Sequence, residues 1–357
     1  MPWKDQLNRL KGDWDKFNAE HNILPGNRTQ QQQPQQQQQY YPQQQQQPQQ
    51  DLQQNQYNRP PPPPPGAQAG APPFQAQSQA IPQQPQFQQK QQQVQQLPNI
   101  YWQPNFDPSI PISQDWDAKL GAGGWGNNEL QNYTNTPQNS FQTPDHKLIV
   151  RATAQNNNPD PGRKYTSARL VSRQTLGRDR GVLSAVLTSP CASGIWPAFW
   201  LLPHEPFNWP SDGEVDIMES WNNNLTNKSC LHWGHFDGAD WNKHITQSTH
   251  LPDMPSRPVR YDFAWDQPNG QAGTGRMIWY IDGRPVMKAP VPGGTRPLRE
   301  FTVLLNVAMG GNVNAGAIPR DGSYDLVVHW MAMMGELEGG FGRFEADWNG
   351  APNGVVG

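Results

Sequence analysis

The spacing of apolar and polar residues divides the chain into three regions, with boundaries near residues 25 and 99. In the first region, apolar side chains recur every three or four positions, with charged and amide residues between them. The apolar positions are Trp3, Leu7, Leu10, Trp14 and Phe17. This period predicts an amphipathic helix within residues 1–25, ended by the Pro25-Gly26 pair. Its apolar stripe suits docking to a partner protein or a membrane surface, and packing on the main domain is the alternative.

The second region, residues 26–98, is expected to be a disordered linker. From Thr29 to Pro98 nearly half of the residues are Gln, Pro is frequent, and only three residues are charged. Such a stretch buries too little apolar surface to offset the entropy that ordering removes. The run Pro60–Pro65 favours a polyproline II helix, which an SH3- or WW-type domain can bind, but we interpret the tract as a spacer.

From about residue 99 onward, short alternating or apolar runs recur between clusters of Gly, Pro and Asn, and no long segment has a helical period. The candidate strands are Lys147–Thr153, Ala168–Arg173, Gly181–Leu187, Ala198–Leu202, Gly213–Glu219, Ser229–Gly234, Val259–Trp265, Arg276–Ile281, Phe301–Ala308 and Leu326–Met333. Asp282-Gly283 predicts a hairpin turn after the run MIWYI. Many short strands without βαβ alternation predict an all-β, two-sheet antiparallel jelly-roll sandwich over residues 99–338, with a C-terminal tail at residues 339–357.

Composition and charge narrow the classes of function. The 357 residues carry a formal net charge of −3, which gives no electrostatic footprint for nucleic acid. No run approaches the ~20 apolar residues that span a membrane. The first thirty residues lack the apolar segment of a signal peptide, so we expect an intracellular or unconventionally exported protein. In that setting Cys191 and Cys230 are expected to be free thiols rather than a disulfide.

The segment from Ser211 to Ser220 carries three acidic residues in one predicted strand. Because alternate residues of a strand share a face, Glu214 and Asp216 point together, whereas strict alternation turns Glu219 to the opposite face. One extra residue at Ile217-Met218, a β-bulge, restores Glu219 to the face of the other two acids. Bulges are over-represented next to active sites, and the sequence predicts one here.

Three acids on one sheet face suit general acid–base chemistry. Bending of the strand and inward-leaning side chains can bring the two Glu carboxyls to roughly 5–6 Å, the separation of a retaining glycosidase. A neighbouring negative charge on Asp216 keeps one Glu protonated while the other is ionised. A polar strand that simply faces solvent is the alternative. The Trp and Phe residues around the strand favour a sugar-binding cleft, because the C–H faces of pyranoses stack on aromatic rings.

The carboxylate strand and seven further blocks resemble glycoside hydrolase family 16 in its bulged, laminarinase-type form. The blocks, in the family's order, are residues Gly124–Gln131, Tyr165–Arg169, Gly194–Pro203, His232–Gly234, Tyr261–Trp265, Trp279–Gly283 and Leu305–Gly311. The resemblance covers about residues 100–335 and implies a concanavalin A-like jelly roll, in agreement with the strand pattern.

This resemblance implies a role for each acid: Glu214 as nucleophile, Glu219 as general acid and base, and Asp216 as their assistant. It also implies a set of substrate-binding residues. These are Asn127, Asn128, Arg169, Trp196, Trp209 and His232. The family's final strand often reads V-D-Y-V-R-V-Y, whereas this chain has Val328-His329-Trp330-Met331, which gives no support for the calcium site that some members build there.

The sequence therefore favours a retaining, endo-acting hydrolase of β-1,3 or mixed β-1,3/1,4 glucan that acts as a monomer and uses neither metal nor organic cofactor. Two alternatives remain. One is a cell-wall transglycosylase, against which the extra Met218 argues, because such relatives usually carry the unbulged E-x-D-x-E form. The other is a glucan-binding protein without activity, which typically has lost one or both Glu residues.

Overall fold

The computed structural model of the chain describes residues 99–235, 240 and 242–356. The predicted amphipathic helix (1–25) and Gln/Pro-rich linker (26–98) lie outside these residues. The described part contains strands β1 Ile100–Trp102, β2 Trp116–Lys119, β3 Asn132–Tyr133, β4 Ser140–Gln142, β5 Leu148–Ala154, β6 Tyr165–Ser167, β7 Arg169–Thr175, β8 Arg180–Thr188, β9 Ile195–Pro203, β10 Glu214–Glu219, β11 Thr226–His232, β12 His244–His250, β13 Val259–Asp266, β14 Arg276–Ile281, β15 Arg284–Pro290, β16 Phe301–Met309, β17 Gly322–Met334 and β18 Val355–Val356. Two α-helices, α1 Pro161–Lys164 and α2 Gly340–Gly350, and three short 3₁₀ turns complete the secondary structure.

The strands form two sheets. One follows the order β15-β14-β13-β8-β17-β5-β6-β3, with β1 beside β17 and β4 beside β5. The other follows the order β18-β12-β11-β10-β9-β16-β7-β2. Of the strand pairings in the described residues, β3 with β6 is parallel and the rest are antiparallel. The expected two-sheet antiparallel jelly roll is confirmed.

Each of the ten predicted strands corresponds to an observed strand, with ends that differ by up to four residues. The hairpin turn predicted at Asp282-Gly283 is also present, because Ile281 pairs with Arg284 across it. Both turn residues have positive φ, 48° at Asp282 and 73° at Gly283, the conformation that Asp-Gly hairpin turns require.

Inward-facing side chains of both sheets form one apolar core. The eight-stranded sheet contributes Phe199, Leu201 and Val215, and the ten-stranded sheet contributes Phe263 and Trp279, each at most 1% exposed. Burial of side chains of this size stabilises the fold by about 1.5–3 kcal/mol each. The indole N–H of Trp279 also donates to the backbone carbonyl of Asp216. This hydrogen bond ties the acidic strand to the core.

Within the predicted C-terminal tail (residues 339–357), helix α2 packs against the ten-stranded sheet. Phe344 and Ala351, at the centre and just beyond the end of α2, join Ile278 and Tyr280 of β14 in a second apolar cluster on the outer face of that sheet. Arg276 of β14 holds the helix through two 2.6 Å hydrogen bonds to Glu345. After the helix, β18 pairs with β12 and extends the other sheet.

Neither this helix nor any other helix of the described residues has the length and apolar character needed to span a membrane.

Candidate active site

The bulge in β10 sets which side chains face away from the core. Asp216 pairs with Trp200 of β9, but the next pair joins Met218 to Phe199, so Ile217 is the extra residue. The predicted bulge at Ile217-Met218 is confirmed. As a result Glu214, Asp216 and Glu219 share the outer face of the eight-stranded sheet, because antiparallel partners lie on the same face. Their partners on β11 are His232, Cys230 and Lys228, respectively.

A loop between β9 and β10 carries Trp209 over the acidic strand. Arg296 holds this loop by donating to the carbonyls of His204 at 2.7 Å and Pro206 at 3.0 Å. Gly213 ends the loop with φ of 99°, and a Cβ at this position would lie 3.1 Å from Phe301. Glycine is therefore required where the chain turns into Glu214.

Each glutamate receives a hydrogen bond from an indole. Trp209 Nε1 donates to Glu214 Oε2 at 2.8 Å, and Trp196 Nε1 donates to Glu219 Oε1 at 2.8 Å. His232 Nε2 lies 3.2 Å from Asp216 Oδ2 and 3.9 Å from Glu214 Oε1. The structure thus brings the three predicted catalytic acids together with Trp196, Trp209 and His232.

Burial dominates the electrostatics of the two glutamates. Burial, together with the charge of Asp216, raises the pKa of Glu214 to about 7 against the opposing effects of His232, Trp209 and Arg169. Burial and the charges of Asp216 and Glu214 raise the pKa of Glu219 well above its usual value. For His232, burial lowers the pKa, but the hydrogen bonds and negative charges around the ring raise it overall. The imidazolium therefore compensates part of the negative charge of the acids.

Arg169 lies between two aromatic rings beside the acids. Its guanidinium carbon is 4.9 Å from the ring centre of Trp125 and 4.7 Å from that of Trp200. Trp200 is itself fixed by a 2.8 Å hydrogen bond from Nε1 to Asn306 Oδ1. The buried Nε of Arg169 has no hydrogen-bond partner in the described residues.

Asn127 and Asn128 lie in the loop that precedes β3. Asn127 Nδ2 lies 3.4 Å from Glu129 Oε1, and exposed Asn128 donates to Asn312 at 3.0 Å. Glu129 is also hydrogen-bonded by Gln131 and faces the charge of Arg169, while burial raises its pKa. Asn127 thus lies in the polar cluster formed by Glu129 and Gln131, whereas Asn128 contacts the loop that carries Asn312.

Sequence reasoning did not single out Trp125, Glu129, Trp200, Asn306 or Cys230 as site residues. Trp200 had a usable signal, because it lies four residues after Trp196 in a strand and so shares its face. Asn306 and Cys230 follow from register: Asn306 pairs with Ala198 and Arg169, and Cys230 with Asp216. Register between distant strands cannot be obtained from the spacing of single residues.

Known proteins with similar sequences include glycoside hydrolases. Residues 127–273 match the family model described as XgeA-like, catalytic GH16 domain. The chain is 31% identical over 222 residues to the clotting factor G alpha subunit of Tachypleus tridentatus, covering 60% of this chain and 30% of that protein. It is 28% identical over 251 residues to glucan endo-1,3-beta-glucosidase A1 of Niallia circulans, covering 62% and 35%, respectively. It therefore spans about a third of the length of these curated relatives.

Among solved structures, the laminarinase from Rhodothermus marinus superposes with a TM-score of 0.57 at 26% identity, covering 68% of this chain and 99% of that one. A jelly roll with paired glutamates on its outer face, together with these matches, defines a glycoside hydrolase domain. More particularly, residues 127–273 match the catalytic domain of glycoside hydrolase family 16, and the similarity to laminarinases and endo-1,3-beta-glucosidases supports a protein of the laminarinase type.

Proposed function

We propose that the chain is a retaining, endo-acting hydrolase of β-1,3 or mixed β-1,3/1,4 glucan. The observation that carries the proposal is the arrangement of Glu214 and Glu219 on one sheet face, each hydrogen-bonded by its own indole, with Asp216 between them. The names of the Niallia circulans and Rhodothermus marinus relatives support β-glucan as the substrate.

In the proposed double displacement, ionised Glu214 attacks the anomeric carbon while protonated Glu219 gives its proton to the leaving oxygen. The resulting glycosyl ester is hydrolysed when Glu219, now a carboxylate, takes a proton from water. The surroundings of the two groups support this division of roles. Arg169 and His232 favour the ionised form of Glu214, and the negative charge of Glu214 adds to that of Asp216 and to burial in favouring the proton on Glu219.

Substrate binding is proposed to use the aromatic and polar groups beside the acids. Trp209, whose side chain is 46% exposed, presents a ring next to Glu214 on which a sugar can stack. Arg169, held between Trp125 and Trp200, offers guanidinium N–H groups to sugar hydroxyls. No step of this mechanism requires a metal or an organic cofactor, since both proton carriers and the nucleophile are side chains of this chain.

The test is to assay the purified protein in parallel on β-1,3-glucan, mixed-linkage glucan, agarose and carrageenan, with Glu214→Gln as the matched control. We expect reducing ends from the β-glucans alone and almost none from the Glu214→Gln protein. Products longer than the substrate would favour transglycosylation. Binding to insoluble glucan without release of reducing ends would favour a binding protein, and release from a galactan alone would overturn the substrate class.

A further inference from the structure

The floor of the site holds three potential metal ligands of different kinds. Asp216, Cys230 and His232 each offer one ligand atom, and these atoms all lie within 4.8 Å of one another. The grouping follows from the sheet, because Cys230 is the ladder partner of Asp216 and His232 lies two residues further along the same strand. Asp216 is 2% exposed and Cys230 is 8% exposed, whereas the half-buried His232 borders the cleft.

The buried carboxylate of Asp216 depends on His232 for compensation of its charge. Asp216 Oδ2 lies 3.2 Å from His232 Nε2. A cation bound here would take over that compensation from the imidazolium, because a buried carboxylate needs a positive partner. The Cys230 thiol is 3.2 Å from Thr246 Oγ1, a hydroxyl that can donate to the sulfur once it is a thiolate.

Thiolate, imidazole and carboxylate together select a particular class of metal. Zn²⁺ and related thiophilic divalent ions bind all three groups, usually in tetrahedral sites. Ligand bonds of about 2.0–2.3 Å in such a site place ligand atoms roughly 3.3–3.6 Å apart, so small side-chain rotations suffice here. Ca²⁺ and Mg²⁺ prefer oxygen ligands and gain nothing from the sulfur.

We propose that Asp216, Cys230 and His232 form a site for Zn²⁺ or a similar thiophilic divalent cation, and that the bound ion inhibits the enzyme. The cation enters as the thiol proton and the imidazolium proton leave. Glu214 Oε1, 3.9 Å from His232 Nε2, is close enough to approach the ion as a further ligand, with water as the alternative. A cation here neutralises the carboxylates of Asp216 and Glu214. Glu214 is then unable to attack the anomeric carbon. Inhibition rests on the proposed function, but metal binding does not.

Binding is tested first, without any activity measurement. Metal-free full-length protein is titrated with Co²⁺, whose absorption shows a thiolate-to-metal charge-transfer band only when sulfur is a ligand. We expect the band in the unaltered protein and in Cys191→Ser, because Cys191 lies near Ser189 and Ser220 and outside the cluster. The band should be lost in Cys230→Ser and Cys230→Ala, and both variants should melt cooperatively. A band that persists in these variants, or is lost in Cys191→Ser, would overturn the site.

Inhibition is tested with Zn²⁺ on the same proteins, each compared with its own metal-free rate. We expect the Zn²⁺ concentration for half inhibition to rise at least ~10-fold in Cys230→Ser and to stay unchanged in Cys191→Ser, because loss of a ligand weakens binding at least as much as loss of a supporting hydrogen bond. Mg²⁺ should not inhibit. Equal inhibition of all variants by Zn²⁺ would show that the carboxylates alone bind the ion. If β-glucan hydrolysis fails while the Co²⁺ band is present, the proposed function fails and the metal site stands.

Discussion

The indole Nε1 of Trp196 donates a hydrogen bond to Oε1 of Glu219 at 2.8 Å. This contact stabilises the ionised carboxylate, because the indole N–H can only donate. It opposes the burial and the two acidic neighbours that raise the pKa of Glu219. Trp196 therefore lowers the pH at which the proposed general acid gives up its proton, against the larger effect of burial.

Trp196→Phe should move the alkaline limb of kcat/KM to higher pH. Phenylalanine keeps an aromatic ring but removes the donor, so the pKa of Glu219 rises further and the acid stays protonated to higher pH. The measurement is the pH profile of kcat/KM on a β-glucan. An unchanged alkaline limb in a folded variant would show that Glu219 is not the group that titrates there.

Trp209→Phe is the matched change on the other glutamate, and it should affect the opposite limb. The pKa of Glu214 is about 7, and the hydrogen bond from Trp209 lowers it. Without that bond, the nucleophile ionises only at higher pH, so the acidic limb of kcat/KM should shift upward from near pH 7. A downward shift, or a shift of the alkaline limb alone, would contradict the roles assigned to the two glutamates.

Glu214→Gln should stabilise the fold at pH 8 while it abolishes hydrolysis. The pKa of Glu214 rises from 4.5 to about 7 on folding, so the native state holds a proton that the unfolded chain releases between these values. Stability therefore falls as pH rises from about 4.5 through about 7. Removing the ionisable group should raise the free energy of unfolding by about 1–3 kcal/mol at pH 8 and by little at pH 4.

The check on this stability prediction is chemical denaturation at both pH values. Glu336→Gln serves as the control, because the Glu336 residue is exposed and should change stability by no more than ~0.5 kcal/mol at either pH. Equal effects of Glu214→Gln at pH 4 and pH 8 would show that burial of this carboxylate carries no ionisation penalty.

Arg169→Lys should weaken substrate binding although the charge is kept. A lysine cannot reproduce a planar guanidinium held 4.9 Å and 4.7 Å from the ring centres of Trp125 and Trp200. We expect KM for β-glucan to rise about 10-fold, which corresponds to ~1.4 kcal/mol, with a smaller change in kcat. Steady-state kinetics separates the two constants. A fall in kcat alone would place Arg169 at the reacting centre instead.

Phe344→Ala should destabilise the domain by about 3 kcal/mol, because it leaves a cavity between α2 and the outer face of the ten-stranded sheet. Phe344 is 3% exposed. Asn349→Ala changes an exposed residue of the same helix and is the control. Thermal melts of both variants give the comparison. Similar melting temperatures would show that residues 339–357 dock weakly and behave as the tail that the sequence suggested.

Much of the fold could be predicted because strand alternation is local. Strands β5, β8, β13, β14 and β16 have apolar runs that bury their side chains on one or both faces. Helix α2 escaped prediction because its sequence GFGRFEADWNG contains three glycines and few apolar residues, and its stability comes from contacts with the sheet. Strand β12, HITQSTH, has hardly any apolar residues, and its position is set by pairing with β11.

The candidate site divides in the same way. The three acids and the bulge could be predicted, because the parity of a single strand is a property of consecutive residues. The environment of Arg169 could not be predicted, because its neighbours Trp125, Trp200 and Asn306 come from three separate segments of the chain. The thiol beside Asp216 was equally hidden, since fourteen positions separate Cys230 from that acid in the sequence.

The bulge at Ile217 also changes how distance along this strand is measured. Val215, Asp216, Met218 and Glu219 face four consecutive residues of β9, from Leu201 to Ala198. When position is counted by paired residues of β9, Glu219 occupies the position that the last acid of a regular E-x-D-x-E strand would occupy. A residue-by-residue alignment of the bulged and regular forms opens a gap, whereas an alignment by sheet register superposes their acids. The two forms are equivalent in space, and differ in how the chain reaches the same position.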